Sequence, residues 1–154
     1  MTVSQRVAQF IEGEGHRVEL SCVEGEQELC ELVFRTRGQM FSVAVSELEA
    51  DRFSISTAYE IPDFVREPAH TLDVLGDIEA DYPETRFMLA HDDTIFIATV
   101  EYQATDPEVF LEHFWSVVGR LRDAGTAALE RMVDRSESKA AADKFIRQFM
   151  KGDR

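Results

Sequence analysis

Between Arg17 and Thr57 apolar residues alternate with polar ones, and the alternation keeps one parity through four successive runs. Val18, Leu20 and Cys22 alternate with Arg17, Glu19 and Ser21, and Cys30, Leu32 and Phe34 form the next set. Centring a hairpin on Glu26 sets Cys22 opposite Cys30, Leu20 opposite Leu32 and Val18 opposite Phe34. A tight turn at Arg37-Gly38 then pairs Phe34 with Phe41, Leu32 with Val43 and Cys30 with Val45. A further connection, SELEADR, leads to Phe53, Ile55 and Thr57 on the same face. A slip of one residue would turn every side chain of a strand to the other face, so this agreement predicts a half-buried antiparallel meander of four strands.

The elements around the meander follow from different periods. Val3, Val7, Phe10 and Ile11 form one stripe of a helix over 3–13, with Thr2 and Gln5 spaced as a capping box. Leu72, Leu75, Ile78 and Tyr82 mark a second helix over about 66–81, closed by Pro83. Asp92-Asp93 separates two strand-like runs, pairing Phe87 and Leu89 with Ala98 and Phe96 on one face. On the other face Met88 and Ala90 meet Ile97 and Ile95. Both faces of this hairpin are apolar, so it is expected to be covered on two sides, by its own helices and by a second subunit. Met88, Ala90, Ile95 and Ile97 are therefore the candidate dimer or partner surface.

Asp106-Pro107-Glu108 is a strong helix start. Phe110, Phe114, Val117, Leu121, Ala124 and Ala128 continue it at helical spacing, broadened by Leu111, Trp115, Val118, Leu129 and Met132. The helix either runs to about residue 135, long enough to project or meet a partner, or breaks at Gly125. From Ser136 the composition shifts to SESKAAAD, which reads as a linker or a weak helix start, and then to a short stripe of Phe145, Ile146, Phe149 and Met150 among Lys144, Arg147 and Lys151. This basic amphipathic tail folds back on the domain, docks on a partner or lies on a membrane surface. The reading is a single α+β domain over 1–135, with a linker and tail over 136–154.

Charge narrows the function. The chain carries −14, and it is unevenly spread: residues 1–119 hold 24 acidic and 7 basic residues, residues 120–154 hold 6 and 9. A body of that sign argues against a nucleic-acid groove, which depends on accumulated Lys and Arg, and against an anionic membrane surface. The N-terminus lacks the basic lead and apolar core of a signal peptide, and no run of eighteen apolar residues occurs, so a cytoplasmic location is expected.

No catalytic signature stands out. The sequence lacks GxxxxGK[ST], GxGxxG and GxSxG, and Cys22 and Cys30 are not spaced as CxxC. The two cysteines are expected to be buried thiols facing each other across the first hairpin. His70, Asp73 and Asp77 share one helix face, a spacing that exposed acids produce freely, and are read as a solvated face. His16, His91 and His113 carry no ligand pattern. No metal, cofactor or enzymatic activity is expected.

The order helix, four-stranded meander, helix, hairpin, long helix, with the stretches RFSISTAYEIP, RFMLAHDDTIFIATVEYQ and DPEVFLEHFWSVVGRLRDA, resembles the YbjN-like family of bacterial proteins over about residues 3–135. That family is described as sensory-transduction regulators and shares its fold with type III secretion chaperones. The resemblance implies a two-layer secretion-chaperone-like fold and a non-enzymatic, dimeric domain that binds protein. Where many members carry an Asn-rich end to the second helix, this chain reads LGDIEADYP, so any function tied to those asparagines lacks its residues here. The expected role is an acidic protein-interaction or chaperone-like module, a homodimer with a protein partner or client. The alternative is a regulatory domain sensing a small ligand between sheet and helix.

Overall fold

The computed structural model describes residues 1–23, 29–49, 51–65 and 67–152, with the backbone alone for 138 and 149–152. A helix, α1 (Val3–Gly13), precedes four strands, β1 (Val18–Val23), β2 (Leu29–Thr36), β3 (Gln39–Ser46) and β4 (Arg52–Glu60). A short 3-10 turn (Asp63–Val65) and α2 (Pro68–Asp81) lead to β5 (Thr85–Ala90) and β6 (Ile95–Gln103), and α3 (Pro107–Gly152) follows. The strands form one antiparallel sheet in the order β1-β2-β3-β4-β6-β5, so the α+β architecture expected from the sequence is the one observed. Pairing of β4 with β6 joins the meander to the second hairpin, Ile55 opposite Val100 and Thr57 opposite Ala98.

The registers are those the alternation dictates. Leu20 lies opposite Leu32, Phe34 opposite Phe41, Val43 opposite Ile55, and Met88 opposite Ile97. Among the described residues, helices cover one face of the sheet only. Val7 and Ile11 of α1 and Phe110, Phe114, Val117 and Leu121 of α3 pack on Leu32, Phe34, Phe41, Val43 and Ile55. Farther along, Ala124, Ala128 and Met132 of α3 and Val74, Leu75 and Ile78 of α2 enclose Ile61 and Phe96.

Local chemistry fixes the helix ends. Thr2 Oγ1 accepts from the Gln5 N–H and the Gln5 side chain accepts from the Thr2 N–H, completing the capping box. Glu47, from the β3–β4 connection, accepts from the N–H groups of Val3 and Ser4, which have no partner within the helix. Asp106 Oδ1 accepts from the Glu108 N–H at the start of α3.

Four expectations are corrected. The buried face of α2 is Thr71, Val74, Leu75 and Ile78, while Leu72 is 57% exposed; the true stripe runs i, i+3, i+4, i+7 from Thr71 and includes a polar residue, which hid its phase. Cys22 and Cys30 are not two buried thiols but a disulfide, with Cα atoms 4.1 Å apart on directly opposed residues. Cys30 is buried and Cys22 exposed, because β1 is an edge strand with a neighbour on one side only. Where a linker or a weak helix start is expected from Ser136, α3 continues without interruption through Gly125 and Ser136 to Gly152, 46 residues or about 69 Å. Its stretch from Ala124 to Lys139 also does not project; it packs on α2 and the 3-10 turn, and the turns from Ala140 to Gln148 are exposed.

Candidate functional site

The sheet face turned away from the helices is built by the outward residues of each strand. In the middle these are small: Ser42 and Ala44 of β3 lie beside Ser56 and Ser54 of β4. Toward the β5 end the surface becomes apolar, with Ala58 opposite Ile97 and Ile97 opposite Met88, and Ile95 opposite Ala90. Met88 of β5 is 60% exposed and Met40, on β3 across β6 and β4, 50%. The four sequence-predicted surface residues Met88, Ala90, Ile95 and Ile97 are thus brought together on one uncovered face, and Met40, which the sequence reading did not single out, extends them. A shallow depression of about 280 Å³ lies along this face, lined by Val33, Met40, Ser42, Ser56, Ala58 and Ile97. Another, of about 480 Å³, lies toward the opposite end between Leu29, Ala44, Ser54, Glu101 and Gln103.

The predicted tail residues lie at the far end of α3. Phe145 is 68% and Ile146 56% exposed, and Ala140 to Gln148 are all exposed. The side chains of Phe149 and Met150 lie outside the described residues. The last tertiary anchors before this segment are Ser136, whose hydroxyl donates to the Phe64 carbonyl, and Lys139, whose ammonium lies 2.7 Å from Glu67. The hydrogen bond and charge of Lys139 hold the Glu67 carboxyl below its usual range. Arg131 and Arg135 pair likewise with Asp81 and Asp77 of α2. Basic residues on this part of α3 therefore meet the acidic outer side of α2. Asp77, one of the two acids sharing a helix face with His70, is engaged in this way.

A third site was missed in the sequence. His16 after α1, Thr36 and Arg37 at the β2–β3 turn, and Trp115, Gly119 and Arg122 of α3 surround an open cleft of about 360 Å³, with Glu14 and Val118 at its border. Its walls rest on aromatic residues: the Arg122 guanidinium sits 5.6 Å from the Phe41 ring centroid, and the His16 and Trp115 rings are 5.1 Å apart. His16 Nδ1 lies 3.0 Å from the Arg35 carbonyl, which fixes the ring. The signal available in the sequence was Arg37-Gly38, since a two-residue hairpin turn with positive φ at both positions favours Asn-Gly over Arg-Gly.

Comparison with known proteins bears on the fold. No family model matches the chain, and no curated protein matches it. Among solved structures, it is similar to an uncharacterized protein from Methanothermobacter thermautotrophicus, with a TM-score of 0.61 and 11% identity over 86% of this chain and 98% of that one. It is also similar to YbjN from E. coli, described as a proposed transcription regulator, with a TM-score of 0.51 and 17% identity over 85% of this chain and 92% of that one. The fold is YbjN-like. No helix among the described residues is long and apolar enough to cross a membrane.

Proposed function

We propose that this chain is a non-enzymatic regulatory domain that acts by binding protein, and that its uncovered sheet face is the contact surface of a cytoplasmic homodimer. The observation that carries this reading is the exposure of Met40 and Met88 beside Ala58, Ile95 and Ile97 on a face that no helix covers. An apolar sheet face of this kind gains by burial against another layer, and the small side chains at its centre let that layer approach. The likeness to YbjN supports a regulatory role. The charge of −14 favours regulation through protein contacts over direct DNA binding. The exposed end of α3, with Phe145 and Ile146 among Lys144 and Arg147, is a second contact, for a protein partner or client.

Sedimentation velocity of the full chain tests the dimer. The unmodified protein should sediment as a dimer, and Ile97→Asp as a monomer with an unchanged circular dichroism spectrum. A strict monomer for the unmodified chain, or a dimer that Ile97→Asp leaves intact, contradicts the assignment of this face. A second reading, regulation by a small ligand, is favoured by the cleft between His16, Arg37, Trp115 and Arg122.

A further inference from the structure

We infer that the cleft between the β2–β3 turn and α3 binds a phosphate-type oxyanion, free or carried on a small metabolite, with Arg37 and Arg122 as its charge partners and Trp115 as a neutral donor. The inference deepens the small-ligand reading and is independent of the sheet-face dimer.

Three observations converge on it. The first is charge. On a chain of −14 this cleft gathers two guanidinium groups and an imidazole against the one carboxylate of Glu14. Neither Arg37 nor Arg122 has an ion-pair partner among the described residues, whereas Arg6, Arg120, Arg131 and Arg135 each have one. The second is hydrogen bonding. Among the described residues four buried side-chain nitrogen or oxygen atoms have no hydrogen-bond partner, and two of them, Arg122 Nη2 and Trp115 Nε1, belong to residues of this one cleft. Both are donors without acceptors, a costly state for groups withdrawn from water and one that an oxyanion seated beside them relieves after a small adjustment of the side chains. Arginine is suited to this task because its planar fork matches two oxygens of a phosphate or carboxylate at once. The third is the turn. Arg37 has φ 51°, in the left-handed region, followed by Gly38 at 76°. Asparagine or glycine sits there with less strain, so the backbone alone does not account for an arginine.

The cleft's volume of about 360 Å³ lies at the small end of ligand sites and exceeds what a bare phosphate fills, which leaves room for a compact organic body beside the anion. Val118 and the rings of Trp115 and His16 supply apolar surface for it.

Trp115 is the only tryptophan of the chain, so its fluorescence reports this cleft alone. The full chain is titrated with inorganic phosphate and, separately, with ribose 5-phosphate, at constant ionic strength set by sodium chloride, with calorimetry in parallel. Saturable binding of either probe is expected. Tighter binding of ribose 5-phosphate identifies a carried phosphate, and equal binding identifies the free anion. Arg122→Gln and Arg37→Asn should each weaken binding about tenfold or more. Arg37→Asn suits the turn, so it loses binding while keeping or raising the melting temperature of the unliganded protein. That separates a lost ligand contact from a damaged fold. Absence of saturable heat and fluorescence change with both probes, or variants that titrate like the unmodified chain, overturns the inference. Neither result alters the sedimentation behaviour by which the sheet-face dimer is judged.

Discussion

The ring of Tyr59 lies against Gly125 so closely that a methyl group at position 125 would overlap it. Tyr59 projects from the covered face of β4, is stacked on Phe96 at 5.0 Å, and directs its hydroxyl toward the Leu121 and Arg122 carbonyls. It is largely buried, and burial raises its phenol above the ordinary range. Gly125 is therefore no break in α3. It is the point at which the long helix comes close enough to the sheet to join the two parts of the core.

Gly125→Ala is accordingly expected to destabilise the protein. In an unobstructed helix the exchange gains about 1 kcal/mol. Here overpacking against a ring held by Phe96 costs roughly 1–3 kcal/mol and outweighs it. In a Tyr59→Ala background the sign should reverse, and urea denaturation of the four proteins of this cycle measures the coupling. A higher urea midpoint for Gly125→Ala alone would show that the close approach is not there.

The same contact marks what was legible beforehand. The registers Cys22–Cys30, Leu20–Leu32 and Phe34–Phe41 could be read because strict alternation ties parity to pairing. The joining of β4 to β6 could not, since it links distant segments and no turn sets its register. The phase of α2 was misread because Thr71 occupies a buried position that hydrophobicity does not mark, while Leu72 faces solvent. Phe145 and Ile146 were recognised as an apolar stripe, but the unbroken helix that carries them from Ser136 onward was not, as Ser-Glu-Ser is weakly helical by itself. The apolar residues of the sheet face were found by alternation. The cleft was missed because His16, Arg37 and Arg122 are far apart in sequence and share no period.

Glu47 gives a pH-dependent contribution. Burial pushes its carboxyl up, but hydrogen bonds from the Ser4 side chain and from the Ser4 and Val3 backbone outweigh this and set it below the usual value. A carboxylate depressed on folding stabilises above its unfolded pKa, and that contribution fades as pH falls through the lower folded value. Glu47→Gln should cost about 1 kcal/mol at neutral pH, the scale of a helix cap. It should also flatten the loss of stability below about pH 4.5. Equal slopes of stability against pH for the two proteins would contradict the cap.

The disulfide tethers an edge rather than the core. Reduction is expected to cost at most about 2–3 kcal/mol, the value for a short closed loop. Because Cys22 is exposed and Cys30 buried, iodoacetamide added after mild reduction should modify Cys22 well ahead of Cys30. Peptide mapping by mass spectrometry reads the order. Simultaneous modification of both would mean that β1 detaches from β2 once the bond opens.

The end of α3 is expected to contribute little to folding. Ala140 to Gln148 are exposed, whereas Ser136 and Lys139 still touch the 3-10 turn and Glu67. A chain ending at Lys139 should keep its unfolding free energy within about 0.5 kcal/mol, as expected for surface residues outside any packed contact. It should still dimerise, since the sheet face is intact, and sedimentation velocity checks this. A loss above about 1 kcal/mol in urea would show that the terminal turns pack on the domain. A monomeric truncated chain would move the dimer contact from Ile97 and Met88 to the helix end.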